Sequence, residues 1–225
     1  MADFAALVLI VPAPTVGVWA AMVAFPDTVL GKGIFFVCKA WMLALPVFWR
    51  IVVDRKFLSL SRPRRGGLGA GAVLGVVIGA VIVLAYWMLG SRWIDGEHVR
   101  AMAVRNGIGA PGMFIAAGVY WVTVNALLEE YVYRWFIFRK WERFMAGPAA
   151  VVAAAVCFTI HHVIALKVQF GWNATVLASL GVFIGGAAWS WLYLRYRSIW
   201  PGYVSHAIVD VAVFVIGWRI IFGGG

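Results

Sequence analysis

The chain has 225 residues, of which 64% are hydrophobic and only 12% are charged. This composition excludes an ordinary soluble protein and is typical of a polytopic membrane protein, although length alone allows one or two domains. The formal net charge of +10 does not indicate nucleic-acid binding, because the basic residues are spread over short gaps between apolar runs and accompany no recognition motif. We therefore predict an integral membrane protein that contacts the lipid bilayer and binds no nucleic acid.

Seven apolar segments are each close to the roughly 20 residues that a helix needs to cross the hydrocarbon core. We predict an all-α bundle of about seven transmembrane helices that forms a single integral membrane domain over residues 1–225. The second segment is the weakest, because Lys39 interrupts it and Pro46 would kink it. The predicted spans are 4–25, 34–53, 68–89, 112–138, 149–166, 173–194 and 199–222.

The loop charges predict an orientation in the membrane. Basic clusters follow the second, fourth and sixth segments, which places all three on one side, and the positive-inside rule makes that side cytoplasmic. The N-terminus is then cytoplasmic, and the small size with short loops favours a prokaryotic cytoplasmic membrane. The clusters are Arg50, Arg55, Lys56, Arg62, Arg64 and Arg65; Arg139, Lys140 and Arg143; and Arg195 and Arg197.

Glycines recur every four residues along the third segment, at Gly67, Gly71, Gly75 and Gly79. A stripe of small residues lets helices approach each other closely in lipid. We predict that this stripe serves helix packing and has no catalytic role.

Three of the last four segments carry ionisable side chains where a lipid-spanning helix is normally apolar. Such groups are costly in hydrocarbon and usually mark a functional site or its partners. These acids and imidazoles are types that act as acids, bases and ligands, so they predict chemistry inside the bilayer. They are Glu129, Glu130 and Arg134 in the fourth segment, His162 in the fifth, and His206 and Asp210 in the seventh.

The acids of the fourth segment predict a division of roles. Successive side chains on a helix point about 100° apart, whereas residues four apart are neighbours, so Glu130 can pair with Arg134. Glu130 and Arg134 would then form a desolvated ion pair, and Glu129 would be free to face a cavity as a general base. The alternative is a structural ion-pair cluster near the cytoplasmic boundary.

The histidines have both functional and structural interpretations. Phe158 lies one turn before His162, and only one of His161 and His162 can share its face. His206 and Asp210 are four residues apart, so the carboxylate can reach the imidazole or both can face one polar centre. A hydrogen-bonded interior histidine and a satisfied buried pair are the alternatives. All three sites fall broadly near mid-membrane, where they could meet in one water-filled chamber.

Three motifs occur in order within the apolar segments: E-E-x-x-x-R at 129–134, F-x-x-x-H at 158–162 and H-x-x-x-D at 206–210. Together they resemble the CAAX protease and bacteriocin-processing family of intramembrane glutamate-type proteases. The resemblance covers a motif-bearing core of about 112–222 and implies an all-helical endopeptidase that hydrolyses a peptide bond in or near a membrane-anchored segment. Such a segment would be a prenylated tail, a leader peptide or a C-terminal sorting helix of a protein or peptide substrate.

The resemblance also implies roles for individual residues. Glu129 would activate the attacking water, with His162 holding or activating that water, and His206 and Asp210 would face the oxyanion. Glu130, Arg134 and Phe158 would support them. Many family members have asparagine at the position of Asp210, and an ionised carboxylate would repel an oxyanion. Asp210 must therefore be protonated there or orient His206 instead.

Two other functions use the same residues. Zinc could supply the activated water on Glu129, His162 and His206, but the HExxH helix signature of zinc proteases is absent, so we expect no cofactor. A proton-coupled transporter also uses buried acids and histidines, although no inverted repeat is visible. A non-catalytic scaffold has little need for such groups. The sequence does not predict an oligomeric state.

Overall fold

The computed structural model describes residues 1–59, 61–63 and 65–223, so Arg64 of the first basic cluster lies outside the described residues. Within these ranges the chain is helical and contains no strand. Among the described residues, seven helices are long and apolar enough to cross a membrane, and a shorter helix lies between the third and the fourth of them. In chain order the helices are α1 Ala2–Ala24, α2 Val29–Val53, α3 Leu68–Gly90, α4 Gly96–Arg105, α5 Pro111–Trp141, α6 Gly147–Gln169, α7 Trp172–Tyr196 and α8 Trp200–Phe222.

The predicted all-α class and the seven spans are confirmed. The second span begins earlier than predicted, because Thr28 accepts a hydrogen bond from the backbone N–H of Gly31 and so caps α2 before its strongly apolar stretch. Pro46 lies inside this span, which continues to Val53.

Helix α4 was not predicted, because it is too short and too polar to read as a span. Asp95 caps it by accepting from the N–H groups of Glu97 and His98. Arg105 at its end pairs with Asp27 in the loop before α2, and this hydrogen bond lowers the pKa of Asp27. The α4 segment is thereby tied to the α1–α2 loop outside the spans.

The spans pack as neighbouring pairs: α8 lies along α3, α7 along α6 and α2 along α1, while α7 also contacts α8. The largest fully buried side chains include Arg134, Tyr133 and Phe138, which all lie in the second half of α5, so this half of the helix is enclosed by its neighbours. Many large apolar side chains instead face outward, as expected where lipid replaces water as the solvent. The helices therefore enclose the polar groups, and apolar side chains cover the outer surface of the bundle.

In the part of the chain that the structure describes, the spans contain five π-helical segments, three of them at the end of a span. The other two lie within α5, at Trp121–Asn125 and Glu130–Phe138. A π turn makes i→i+5 hydrogen bonds and is frequent at functional sites. These two segments flank Glu129 on both sides, so the backbone around the predicted general base departs from regular α-helical geometry.

The glycine stripe of α3 packs against α8 as predicted. A Cβ at Gly71 would collide with the backbone carbonyl of Pro201, and one at Gly75 would lie 2.8 Å from the carbonyl oxygen of Ser205. Since Ser205 immediately precedes His206, the close approach of α3 and α8 also sets the position of a predicted site residue.

We expect Gly71→Ala to destabilise the protein, because overpacking a close contact costs about 1–3 kcal/mol. Thermal unfolding of the purified protein measures the effect. Gly69→Ala is the matched control, since a Cβ at Gly69 has nothing within 4 Å. An equal melting temperature for both variants would contradict the close α3–α8 contact.

Candidate active site

The ion pair predicted within α5 is present and fully enclosed. Arg134 Nη1 lies 3.1 Å from Glu130 Oε1, and both side chains are 0% exposed. Arg134 Nη2 donates to the backbone carbonyl of Gly186 at 3.2 Å, which ties α5 to α7. The guanidinium also lies 4.6 Å from the ring centroid of Phe158. Burying two charges is expensive, so this pair depends on its mutual attraction and on these further contacts.

His206 of α8 lies between the two glutamates. Its Nδ1 donates to Glu130 Oε1 at 3.1 Å, whereas its Nε2 lies 3.7 Å from Glu129 Oε2. The imidazole stacks on Trp189 of α7 with centroids 3.9 Å apart. Because Glu130 holds Nδ1–H, the other nitrogen is directed towards Glu129.

Glu129 and Glu130 are successive residues, so their side chains were expected to point about 100° apart. In the structure both nevertheless lie close to His206. Both carboxylates lie beside the same imidazole, at opposite nitrogens, but only Glu130 is within hydrogen-bonding distance. The physical reason is that the ring of His206 lies between the two side chains, with Glu130 at Nδ1 and Glu129 nearer Nε2, where a π segment begins at Glu130. Glu130 thus contacts both Arg134 and His206.

Asp210 lies farther from His206 than the sequence spacing suggests. Its Oδ1 is 3.8 Å from His206 Nε2, which exceeds hydrogen-bonding distance. The imidazole is therefore oriented by Glu130 and not by Asp210. Asp210 Oδ2 and Glu130 Oε2 are buried with no hydrogen-bond partner among the described residues. Buried polar atoms are normally satisfied, so both oxygens are candidates for contact with a bound molecule.

Both histidines of α6 face the site. Ligand-type atoms of Glu129, His161 and His162 lie within 4.8 Å of one another. His162 Nδ1 donates to the carbonyl of Phe158 at 2.7 Å, which leaves its Nε2 free to accept a proton or bind a ligand. His161 Nδ1 is 3.2 Å from the Tyr133 hydroxyl.

His161 was not predicted as a site residue. The predicted metal set was Glu129, His162 and His206, whereas the converging set among the described residues contains His161 in place of His206. Tyr133, four residues after Glu129, could have indicated this side of α5, because residues four apart share a helix face. Which of two adjacent histidines faces α5 depends on how α6 is rotated, which the sequence does not specify.

A hydrogen-bonded chain from α2 also reaches Glu129. Lys39 Nζ donates to Asn125 Oδ1 at 2.6 Å, and Asn125 Nδ2 donates to Glu129 Oε1 at 2.8 Å. Glu129 also lines a small cavity together with Lys39, at the α2–α5 contact. Glu129 therefore lines a cavity as predicted, but it is held by a donor and is not free.

Lys39 and Asn125 were both missed as site residues. Lys39 was interpreted only as a weakness of the second span, although a lysine in the middle of a span needs a polar partner. Asn125 lies four residues before Glu129, a spacing that could have indicated the contact.

Among the described residues, seven candidate spans and a buried acid–imidazole cluster between them define a polytopic membrane protein with an ionisable site inside its helical bundle. Residues 111–212 match the family model described as Type II CAAX prenyl endopeptidase Rce1-like. This match agrees with the resemblance to the CAAX protease and bacteriocin-processing family that the three motifs indicated, and it covers all three of them. No curated protein and no solved structure matches the chain.

Proposed function

We propose that this protein is an intramembrane endopeptidase that uses Glu129 to activate a water molecule. The observation that carries the proposal is the convergence of Glu129, His162 and His206 from three spans within the Rce1-like segment. Its substrate would be a membrane-anchored protein or peptide, because the reactive groups lie inside the bundle and substrates in lipid reach them from the bilayer. The loop charges favour a cytoplasmic N-terminus, and the small size with short loops favours a prokaryotic membrane.

Glu129 would act as the general base in the first step. Its carboxylate takes a proton from water while the water oxygen bonds to the scissile carbonyl carbon, and the carbonyl electron pair moves to the oxygen. His162, whose Nδ1–H is held by Phe158, presents Nε2 as an acceptor for the second water hydrogen. When the C–N bond breaks, Glu129 returns its proton to the leaving amine.

The oxyanion would be stabilised from the α8 side. A doubly protonated His206 donates Nδ1–H to Glu130 and can donate Nε2–H to the developing negative charge. Asp210 can assist only as a neutral acid, because an ionised carboxylate would repel the oxyanion. Glu130, Arg134 and Phe158 would position these groups without touching the reacting atoms.

Peptide cleavage in defined membranes tests the proposal. The purified protein is reconstituted into liposomes with peptides that end in a farnesylated cysteine motif, and with matched peptides that lack the lipid. Hydrolysis in ¹⁸O-water should place one ¹⁸O in the new carboxyl group, which mass spectrometry detects. No cleavage of any membrane-anchored peptide, together with proton flux across the same liposomes, would favour the transporter instead.

A zinc-dependent protease is the second candidate, because Glu129, His161 and His162 could hold a metal ion. Bound zinc would supply an activated water and polarise the carbonyl.

We expect a strong chelator to leave cleavage unchanged and His162→Ala to reduce it more than His161→Ala. The reason is that only the metal mechanism needs His161 as a ligand. Cleavage rates with and without chelator, with metal analysis of the same sample, measure this. Loss of activity on chelation and its recovery with zinc would establish the metal mechanism.

Lys39 should affect the reaction through Asn125. We expect Lys39→Met to lower kcat by about 10- to 100-fold with little change in KM, because small misplacements of a catalytic group can cost about 10²-fold. Lys32→Met is the control, since Lys32 is exposed near the start of the same helix. Asn125→Ala should have a similar effect, and the double variant should be no worse than either single one. Additive losses would contradict the hydrogen-bonded chain.

A further inference from the structure

A second cavity lies at the membrane face where α1 begins and α2 and α5 end. Its volume is about 120 Å³, whereas a single water needs roughly 10–15 Å³. The cavity therefore has room for a group much larger than one water. It is lined by Asp3, Arg50, Asp54, Lys56, Trp135, Phe136, Arg139, Lys140 and Arg143.

The charges around this cavity are unbalanced. Both lining acids face Lys140, whose Nζ lies 2.5 Å from Asp3 Oδ1 and 3.3 Å from Asp54 Oδ1. This lysine is buried, with its side chain 7% exposed. The other four cations form no ion pair in the part of the chain that the structure describes: Arg50, Lys56, Arg139 and Arg143.

The cavity combines these cations with apolar surface. Trp135 and Phe136 form buried aromatic walls, and the guanidinium of Arg50 lies 5.6 Å from the Trp135 ring centroid. Next to the lining residues, Phe4 and Phe144 are exposed and pack edge to face, with centroids 6.4 Å apart. A molecule with an anionic end and an apolar body would satisfy both surfaces.

We propose that this cavity binds the phosphate of an anionic phospholipid headgroup. Arginine and lysine recognise phosphate through charge-assisted hydrogen bonds, and basic pockets between transmembrane helices bind anionic headgroups at the cytoplasmic face. The headgroup lies among the four cations that form no ion pair, and the acyl chains of the lipid extend along Phe4 and Phe144. A free phosphate ion satisfies the cations but gains nothing from the aromatic surface. The proposal does not depend on proteolysis.

Thermal unfolding in a neutral detergent tests the proposal, because a ligand that binds only the folded state raises the melting temperature. Phosphatidylglycerol, phosphatidylcholine and inorganic phosphate are titrated separately into the wild type, into Lys56→Gln/Arg143→Gln and into Arg62→Gln/Arg195→Gln. All four substituted residues are exposed and belong to the basic clusters of one face, but only the first pair lines the cavity. Neither pair contacts the candidate active site.

We expect phosphatidylglycerol to stabilise the wild type more than phosphatidylcholine does. Its apparent affinity should fall by about tenfold or more in Lys56→Gln/Arg143→Gln, since both residues line the cavity and their charge-assisted hydrogen bonds to the phosphate would be lost. The control pair should stay within about twofold of the wild type. Equal losses in both pairs, or no preference for phosphatidylglycerol, would overturn the proposal. If inorganic phosphate stabilised the wild type as much as phosphatidylglycerol does, the cavity would be a site for a free anion, and the proposal of a lipid headgroup would be overturned.

Discussion

Glu129→Gln should abolish peptide hydrolysis while the protein still folds and inserts. Glutamine keeps the length of the side chain, and its Oε1 can still accept from Asn125, but it cannot take a proton from water. Removal of a general base typically costs about 10²- to 10⁴-fold in rate. Single-turnover cleavage of a reconstituted peptide, together with the melting temperature of the same sample, separates lost chemistry from lost structure.

The matched control is Glu142→Gln. Glu142 directly follows the end of α5 and pairs with Arg197. This variant should retain cleavage close to that of the wild type, because this contact lies outside the acid–imidazole cluster. Turnover of the Glu129→Gln protein at the wild-type rate would refute the proposed role of Glu129, whatever the outcome at other residues.

Arg134→Met should instead act on stability. It removes the arginine partner of Glu130, a side chain that is 0% exposed, and leaves His206 as its remaining contact. Breaking a buried ion pair by removing one partner costs about 3–5 kcal/mol. We expect a large drop in melting temperature and in folded yield. The wild-type melting temperature for this variant would show that the pair contributes little.

A double variant distinguishes the charge from the packing of the arginine. Glu130→Gln combined with Arg134→Met removes both charges, so stability should recover in part, as replacement of a buried pair by neutral groups is often tolerated. Activity should stay low, because glutamine no longer offers His206 a charged acceptor. A double variant that is less stable than Arg134→Met alone would assign the loss to packing against Phe158 and Trp189.

The site extends beyond the matched family segment. Lys39 belongs to α2, outside residues 111–212, yet it contacts Asn125, which donates to Glu129. A fragment restricted to α5–α8 would therefore lack one end of the hydrogen-bonded chain. The first half of the protein contributes to the geometry of the site as well as to packing.

The sequence by itself determined the helices, the spans and the candidate residues. Seven apolar runs of membrane length can only be helical in lipid, since every backbone polar group must be paired within the segment. The i,i+4 spacing predicted the Glu130–Arg134 contact, and the four-residue glycine repeat predicted the close approach of α3. These features are local, because each depends only on residues within one segment of the chain.

Tertiary structure decided which polar groups meet. The position of His206 between two glutamates, the inward rotation of His161 and the link from Lys39 to Asn125 all join different helices. Their formation depends on the rotation and depth of each helix, which side-chain packing against several neighbours sets together. Apolar runs specify that a helix spans the membrane, but an apolar helix has similar side chains on all of its faces, so its sequence does not specify which face turns inward. The partner of a buried polar side chain is therefore decided by the assembled bundle.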